Sequence, residues 1–388
     1  MRLRHADGST LHLAYCSNVH AEETPDAIAR RLATIAGRIR ARTDMARIGV
    51  GLWLPAAAAH HLRRDGDARA RFRDDLEQAG VEVVTCNAFP YAAFHAPVVK
   101  RDVYRPDWAD PRRAAFTVDV AHVLADLLPD DVAQGSISTL PLGWRAWLDA
   151  DGRRAAAEAL TDLGRALQDL AEQRGRTVRV GLEPEPGCTL ATAAAVTEWV
   201  ADLSQPMIGV ALDACHLAVE FEDPAKTVRR LAQAATPVVK LQVASAMRSA
   251  DGRLDDHRER LGPYVEPRFL HQTRAAPAPD DGRVPGTDDL PEALAGGLPD
   301  GREWRSHVHA PVHRAEGTTQ DVLIALLDEV VGGPAPVTTH LEVETYTWTV
   351  LPPAERPVTD HDLADALARE LTWTRDALLA RGCTEITP

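Results

Sequence analysis

Short apolar runs alternate with longer amphipathic ones along almost the whole chain. The apolar runs fall at 11–18, 47–54, 81–87, 135–142, 177–185, 207–213, 237–244 and 337–347. Their length and their Val, Ile and Leu content suit strands buried on both faces. Between them apolar residues recur at helical spacing. Thr24-Pro25 is a cap with a first-turn proline, and Ile28, Leu32, Ile35 and Ile39 then share one face. Leu160, Leu163, Leu167 and Leu170 do the same in a helix predicted over 153–174, with Gly175 as its stop. Further helices are expected at 68–79, 111–128, 189–203, after Asp223-Pro224, at 318–330 and at 362–380. Strand and helix in strict alternation imply a parallel sheet, and eight such units imply an α/β fold, a (β/α)8 TIM barrel.

The rhythm breaks at Ser245. Residues 245–303 are rich in Arg, Asp, Pro and Gly, and only 264–272 looks ordered. The expectation is one domain over 1–388, with 245–303 as a loop or lid inserted between strands seven and eight. A strand-like stretch at 305–312 would be a ninth strand, so it is read as a short strand inside that excursion.

Composition narrows the function classes. The chain has 388 residues, 45% of them hydrophobic, and a net charge of −14. With no basic cluster, a nucleic-acid ligand is not expected. No apolar run approaches ~18 residues and Met1-Arg-Leu-Arg-His5 is no signal segment, so a cytoplasmic protein without membrane insertion is expected. Five cysteines without a CxxC pair suit free thiols in a reducing compartment. Nothing in the sequence sets an oligomeric state.

In such a barrel the chemistry sits at the carboxyl ends of the strands. Strand five presents Glu183 and Glu185 there, strand six Asp213 and His216, and strand seven Lys240 and Gln242. Strand eight presents His340, Glu342 and Glu344, and the excursion adds His271, His307 and His309. Asn18, His20, Asn87 and His95 follow the first and third strands. Taken singly these are ordinary: Asp213 could be a helix cap and His216 a packed histidine. Oxygen donors at four successive strand ends, with imidazoles beside them, suit Mn²⁺, Mg²⁺, Co²⁺ or Zn²⁺. Which member of each pair, 183 or 185 and 342 or 344, is the ligand stays open.

The set resembles the xylose isomerase-like barrels: hydroxypyruvate isomerase, the ketose 3-epimerases and, more distantly, endonuclease IV. Leu182-Glu183-Pro184, Asp213 with His216, Lys240-Leu-Gln242 and Glu342 or Glu344 occupy the places of those isomerases' motifs. Lys240 departs from them, standing where they have His. His307-Val-His309 is similar to the Asp-x-His pair of endonuclease IV-like proteins but begins with His. A longer resemblance spans nearly the whole chain. It runs through Tyr15-Cys-Ser-Asn-Val-His20, Ser136-Ile-Ser-Thr-Leu-Pro-Leu-Gly143, Gly181-Leu-Glu-Pro-Glu-Pro-Gly-Cys188, Leu212-Asp-Ala-Cys-His-Leu-Ala-Val219, Phe221-Glu-Asp-Pro224, Phe269-Leu-His-Gln272 and His340-Leu-Glu-Val-Glu-Thr-Tyr-Thr-Trp348. In these it is similar to the metabolite traffic protein EboE family, which implies a sugar- or cyclitol-type small molecule as partner.

Three functions follow. The leading one is a metal-dependent isomerase or epimerase, with a divalent ion on Glu183, Asp213, Gln242 and Glu344, and with His216, His307 and His309 as further ligands. Glu183 and Glu344 would exchange the proton, Lys240 or His216 would polarise a carbonyl, and Asn18, His20, Asn87, His95, Glu185, His271 and Glu342 would line the substrate. The second is a multinuclear phosphoester hydrolase, favoured by the extra histidines. The third is a non-catalytic metabolite carrier. Cys188 and Cys215 show no readable histidine–carboxylate relay, so a thiol nucleophile is not expected.

Overall fold

A computed structural model of the chain describes residues 1–279 and 282–386. Eight parallel strands form its barrel: Thr10–Cys16, Ile48–Trp53, Val81–Asn87, Gln134–Thr139, Thr177–Leu182, Ile208–Asp213, Val238–Val243 and His340–Val343. Each pairs with the next, and the eighth pairs with the first through His340–His12 to Val343–Tyr15, which closes the ring. The strands are buried along most of their length, which is why they read as apolar runs without alternation.

Helices cover the outside as their stripes require. Ile28, Leu32, Ile35 and Ile39 of Pro25–Arg40 and Leu160, Leu163, Leu167 and Leu170 of Ala150–Arg174 are all buried against the barrel. Gly175 ends the second of these in the left-handed conformation, φ 65°. The helix expected over 68–79 is Gly66–Gln78, and a second, Ala56–Arg64, precedes it. The helix expected from 189 begins only at Ala193, where Thr192 caps it. The eighth strand is shorter than its apolar run, because Tyr346–Thr349 turns into a 3-10 helix.

The excursion differs most from expectation. It is not a structureless loop. Ser245–Gly252, Arg302–Ala310, Thr273–Ala275 and Gly286–Thr287 build a four-stranded antiparallel sheet. Its polar composition hides a small core in which Trp304, Leu261, Leu290 and Ala293 are fully buried. His257 stacks on Trp304 at 3.9 Å between ring centroids. The stretch read as a short strand at 305–312 is one of the two inner strands of this sheet and runs over Arg302–Ala310. Among the described residues no helix is long and apolar enough to cross a membrane.

Candidate metal centre

Four acceptor residues converge where strands five to eight end. Glu183 follows the last residue of strand five, Asp213 ends strand six, Gln242 stands beside it in register on strand seven, and Glu344 follows strand eight. One carboxylate oxygen each from Glu183, Asp213 and Glu344 lies within 4.8 Å of the others. All three acids are buried, and Gln242 is fully so. Asn18 Nδ2 and Asn87 Nδ2 donate to Glu344 Oε1 at 2.7 and 3.0 Å. Asp213 Oδ1 accepts from the His216 backbone N–H at 2.8 Å and so caps the short helix Ala214–Val219. Its other oxygen, Glu183 Oε2 and both amide atoms of Gln242 have no hydrogen-bond partner among the described residues. Leaving each such group bare costs about 1–3 kcal/mol. Burial, reinforced by the facing acids, pushes the carboxyls of Glu183 and Glu344 well above their ordinary range. A divalent cation would relieve both penalties, and an all-oxygen donor set suits Mg²⁺ or Mn²⁺.

Next to this carboxylate group stands a trio of imidazoles. His216 Nε2 lies 3.0 Å from His307 Nε2, which lies 3.2 Å from His309 Nε2. Their other nitrogens fix the tautomers. His216 Nδ1 is 2.9 Å from Pro184 O, His309 Nδ1 is 2.6 Å from Glu344 O, and His307 Nδ1 is 2.7 Å from Gln272 Oε1. Carbonyl oxygens only accept, so each Nδ1 carries the hydrogen and each Nε2 presents a lone pair. Burial lowers the pKa of all three rings, that of His216 to about 4, so they are neutral near pH 7. The lone pair of His307 Nε2 faces those of His216 and His309, and the Tyr346 hydroxyl lies 3.4 Å from it. Such a nitrogen set suits Zn²⁺ or Co²⁺. Ligand atoms of Asp213, His216 and His309 also lie within 4.8 Å of one another, so the two groups adjoin.

The remaining sequence candidates separate by position. Lys240 and Glu342 pair with each other one layer down inside the barrel, both fully buried, and neither reaches the ligand cluster. Lys240 is therefore not placed to polarise a substrate carbonyl, and Glu344 rather than Glu342 joins the carboxylates. Gly51 makes room for that pair, since a Cβ there would collide with the Glu342 carboxylate. Glu185 stands beside the imidazoles, with one oxygen within 4.8 Å of ligand atoms of His216 and His307, and accepts from Tyr104 OH at 2.6 Å. Burial raises its carboxyl to about 8 even against the donors Tyr104 and Gln272. His20 sits outside the cluster, 3.2 Å from Tyr15 OH and beside Arg31. His95 Nε2 meets Asn18 O at 2.7 Å and braces the segment that carries Asn18. His271 braces the trio from behind, its Nδ1 2.7 Å from His307 O and its Nε2 3.0 Å from Glu266. Gln272, Tyr104 and Tyr346 were not among the candidates. Gln272 and Tyr346 lie inside the quoted runs Phe269-Leu-His-Gln272 and His340–Trp348, while Tyr104 lies in none of them.

Above the ligands the remaining space is small, about 50 Å³, and it is lined by Phe89, Phe94, Val103, Phe269, Leu270 and Tyr346 among others. Phe94, Phe269 and Tyr346 form a cap with ring centroids 4.9 to 5.2 Å apart. Lys100 ties the loop after strand three to the excursion, donating to Phe269 O at 2.8 Å, Glu266 O at 3.2 Å and Asp289 at 2.7 Å. A far larger cleft of about 1100 Å³ includes Arg2, Arg69, Arg174 and Arg176 in its lining. Those arginines already pair with Glu82, Asp126, Asp130 or Asp131, and none of the metal-ligand groups lies there.

Solved structures of the same fold cover almost the entire chain at low identity. A xylose isomerase-like TIM barrel protein from Mycobacterium smegmatis in complex with magnesium is 14% identical, with 95% of this chain and 98% of that one covered, at a TM-score of 0.51. IOLI protein with a bound zinc atom is 12% identical, with 95% and 98% covered, at 0.51. D-allulose 3-epimerase from Methylomonas sp. in complex with D-allulose is 12% identical, with 95% and 97% covered, at 0.50. Comparison with curated proteins finds no match. The model of the xylose isomerase-like TIM barrel family matches residues 44–270, which hold strands two to seven and with them Glu183, Asp213 and Gln242, so the chain belongs to that family.

Proposed function

We propose that the protein is a metal-dependent isomerase or epimerase of a neutral sugar- or cyclitol-type metabolite, working by proton transfer at a carbon next to a carbonyl. The observation that carries this reading is the group of Glu183, Asp213 and Glu344, three buried carboxylates that face one another, with Glu183 Oε2 and Asp213 Oδ2 lacking any hydrogen-bond partner among the described residues. A divalent ion held by these acids and Gln242 would supply Lewis-acid stabilisation of charge on neighbouring substrate oxygens. Glu183 and Glu344 come from strands five and eight, on different sides of the mouth, so one can remove the proton and the other return it. Asn18 and Asn87 donate to Glu344 Oε1 and so fix the orientation of its carboxylate.

The lining argues for a neutral substrate. Half of it is aromatic and aliphatic, the rest is made of the acids, histidines and asparagines of the site, and its one lysine, Lys100, has its amine already engaged by three acceptors. A phosphate would find no free cationic side chain in it, whereas the C–H face of a sugar ring can lie against Phe94 or Tyr346. A sugar epimerase among the structural neighbours and the EboE-like motifs are in keeping with that class. The imidazole trio supports a second reading, a two-metal phosphoester hydrolase, because it offers a second cation place beside the first.

The experiment is a panel of ketoses, hydroxyketones and keto-cyclitols incubated with the metal-loaded protein in D₂O and read by NMR, beside a phosphoester panel. The expected result is carbon-bound deuterium that disappears when the metal is chelated. Metal-dependent phosphate release without such exchange would replace the first reading by the second. Tight binding of a metabolite with silence on both panels would leave a carrier.

A further inference from the structure

We infer that Gln272 is a positioning residue, holding His307 in the tautomer whose bare Nε2 faces the other two imidazoles. The inference rests on the reading that the His216–His307–His309 trio holds a cation. Two of the three rings are fixed by the main chain. Pro184 O and Glu344 O can only accept, so His216 and His309 have no choice of tautomer. His307 alone depends on a side-chain amide, and an amide can present either end.

The surroundings of Gln272 decide which end. Its Nε2 lies 2.7 Å from Pro186 O, an acceptor only, and 2.8 Å from Tyr104 OH. The Tyr104 proton is already directed at Glu185 Oε1, 2.6 Å away, so that hydroxyl must accept from the amide. Both hydrogens of the amide are thus committed, and Oε1 is left for His307 Nδ1–H at 2.7 Å. Turned over, the amide would set its oxygen against Pro186 O. Gln272 is fully buried, so no bulk water can take its place.

Without that oxygen the balance at His307 reverses. The next acceptor, Glu185 Oε1, stands 3.7 Å from Nδ1, beyond hydrogen-bond reach, so an Nδ1–H left there would be unsatisfied at a cost of about 1–3 kcal/mol. The ring escapes the cost by moving its hydrogen to Nε2 and donating to the lone pair of His216 or His309. That hydrogen bond closes the place a cation would take. Outer partners of metal-bound histidines typically contribute about 10–100-fold in metal affinity.

The test uses the whole protein labelled with ¹⁵N-histidine, together with Gln272→Met, which keeps the length and removes the acceptor. Ring ¹⁵N shifts in metal-free protein report the tautomer of His307. Co²⁺ titration followed by visible absorption and metal analysis reports the number and affinity of bound cations. The wild type should show Nδ1–H at His307 and two Co²⁺ equivalents. Gln272→Met should show Nε2–H and a second equivalent weakened about 10–100-fold with the first unchanged. A wild-type His307 protonated at Nε2 overturns the inference before any variant is made. Two equivalents of unchanged affinity in Gln272→Met overturn it while leaving the trio as a cation place. A single equivalent in the wild type overturns the trio reading and the inference together.

Discussion

Two layers of buried acid, one above the other in the same barrel, are balanced in opposite ways. In the lower layer Glu342 meets Lys240, and the ammonium also donates to Cys86 O at 3.3 Å. Burial works to lower the pKa of Lys240, but Glu342, helped by Cys16 and Glu344, outweighs it and the net shift is upward. In the upper layer Glu183, Asp213 and Glu344 converge with no cationic side chain among them. Strand eight leads into both, since Glu342 and Glu344 are two residues apart and point the same way. The difference teaches that a buried carboxylate says little until its counter-charge is found. The layer that carries its own is architecture, and the layer that lacks one is built to receive it.

Breaking the lower layer should have the largest effect. Lys240→Met leaves Glu342 buried and unneutralised and should cost about 3–5 kcal/mol in urea unfolding. The double variant Lys240→Met/Glu342→Leu should recover most of that, because removing both charges removes the penalty. Equal losses in the single and double variants would show that packing rather than charge holds this layer.

The upper layer should behave in the reverse sense. In metal-free protein Asp213→Asn or Glu183→Gln removes one of three repelling acids and should leave stability equal or higher. With Mn²⁺ at about 100 times its Kd the wild type should gain about 2.7 kcal/mol, and neither variant should gain as much. Thermal unfolding with chelator and then with Mn²⁺ measures both halves. Destabilisation of both variants in chelator, or a full Mn²⁺ gain in both, would remove the contrast between the layers.

The same contrast explains what was legible in the sequence. The barrel was, because parallel strands buried on both faces leave apolar runs that no helix pattern imitates, and each run ended in its polar residue. Glu183, Asp213 and Gln242 were visible as ligand types in that way. The choice between Glu342 and Glu344 was not. Both stand on one face of one strand, and only the depth of Lys240 in the ring tells them apart. The sheet of the excursion was hidden because its strands mix serine, arginine and histidine with few apolar residues, and its core hangs on Trp304 and a few leucines. Gln272 and Tyr104 were hidden for another reason. They are ordinary residues of irregular segments, and their importance arises only where the excursion and the loop after strand three meet over His307 and Glu185.

A third buried acid gives the smallest effect and sharpens the comparison, because it has neither a cation nor facing acids. Glu370, on the last helix, Asp360–Leu379, accepts from Thr345 Oγ1 at 2.6 Å, from the Val312 backbone N–H at 3.1 Å and from Trp348 Nε1 at 3.1 Å. It thereby pins the segment just after Glu344 and the one just after His309. Burial outweighs these donors and raises its carboxyl from 4.5 to about 7. The folded protein therefore holds a proton that the unfolded chain has lost, so the contribution of this group to stability must fall as pH rises from about 4.5 to about 7. Glu370→Gln cannot titrate there. Subtracting the variant's urea-unfolding free energy from that of the wild type, both in chelator, isolates Glu370 from Glu183 and Glu344, which are present in each. The difference should decline by about 3 kcal/mol across that window and level off above it. A difference that stays constant with pH would mean that the three donors hold Glu370 as a settled carboxylate, and that hydrogen bonds alone can balance an acid at this depth. The bare oxygens of Glu183 and Asp213, which lack such donors, would then be the more clearly set apart.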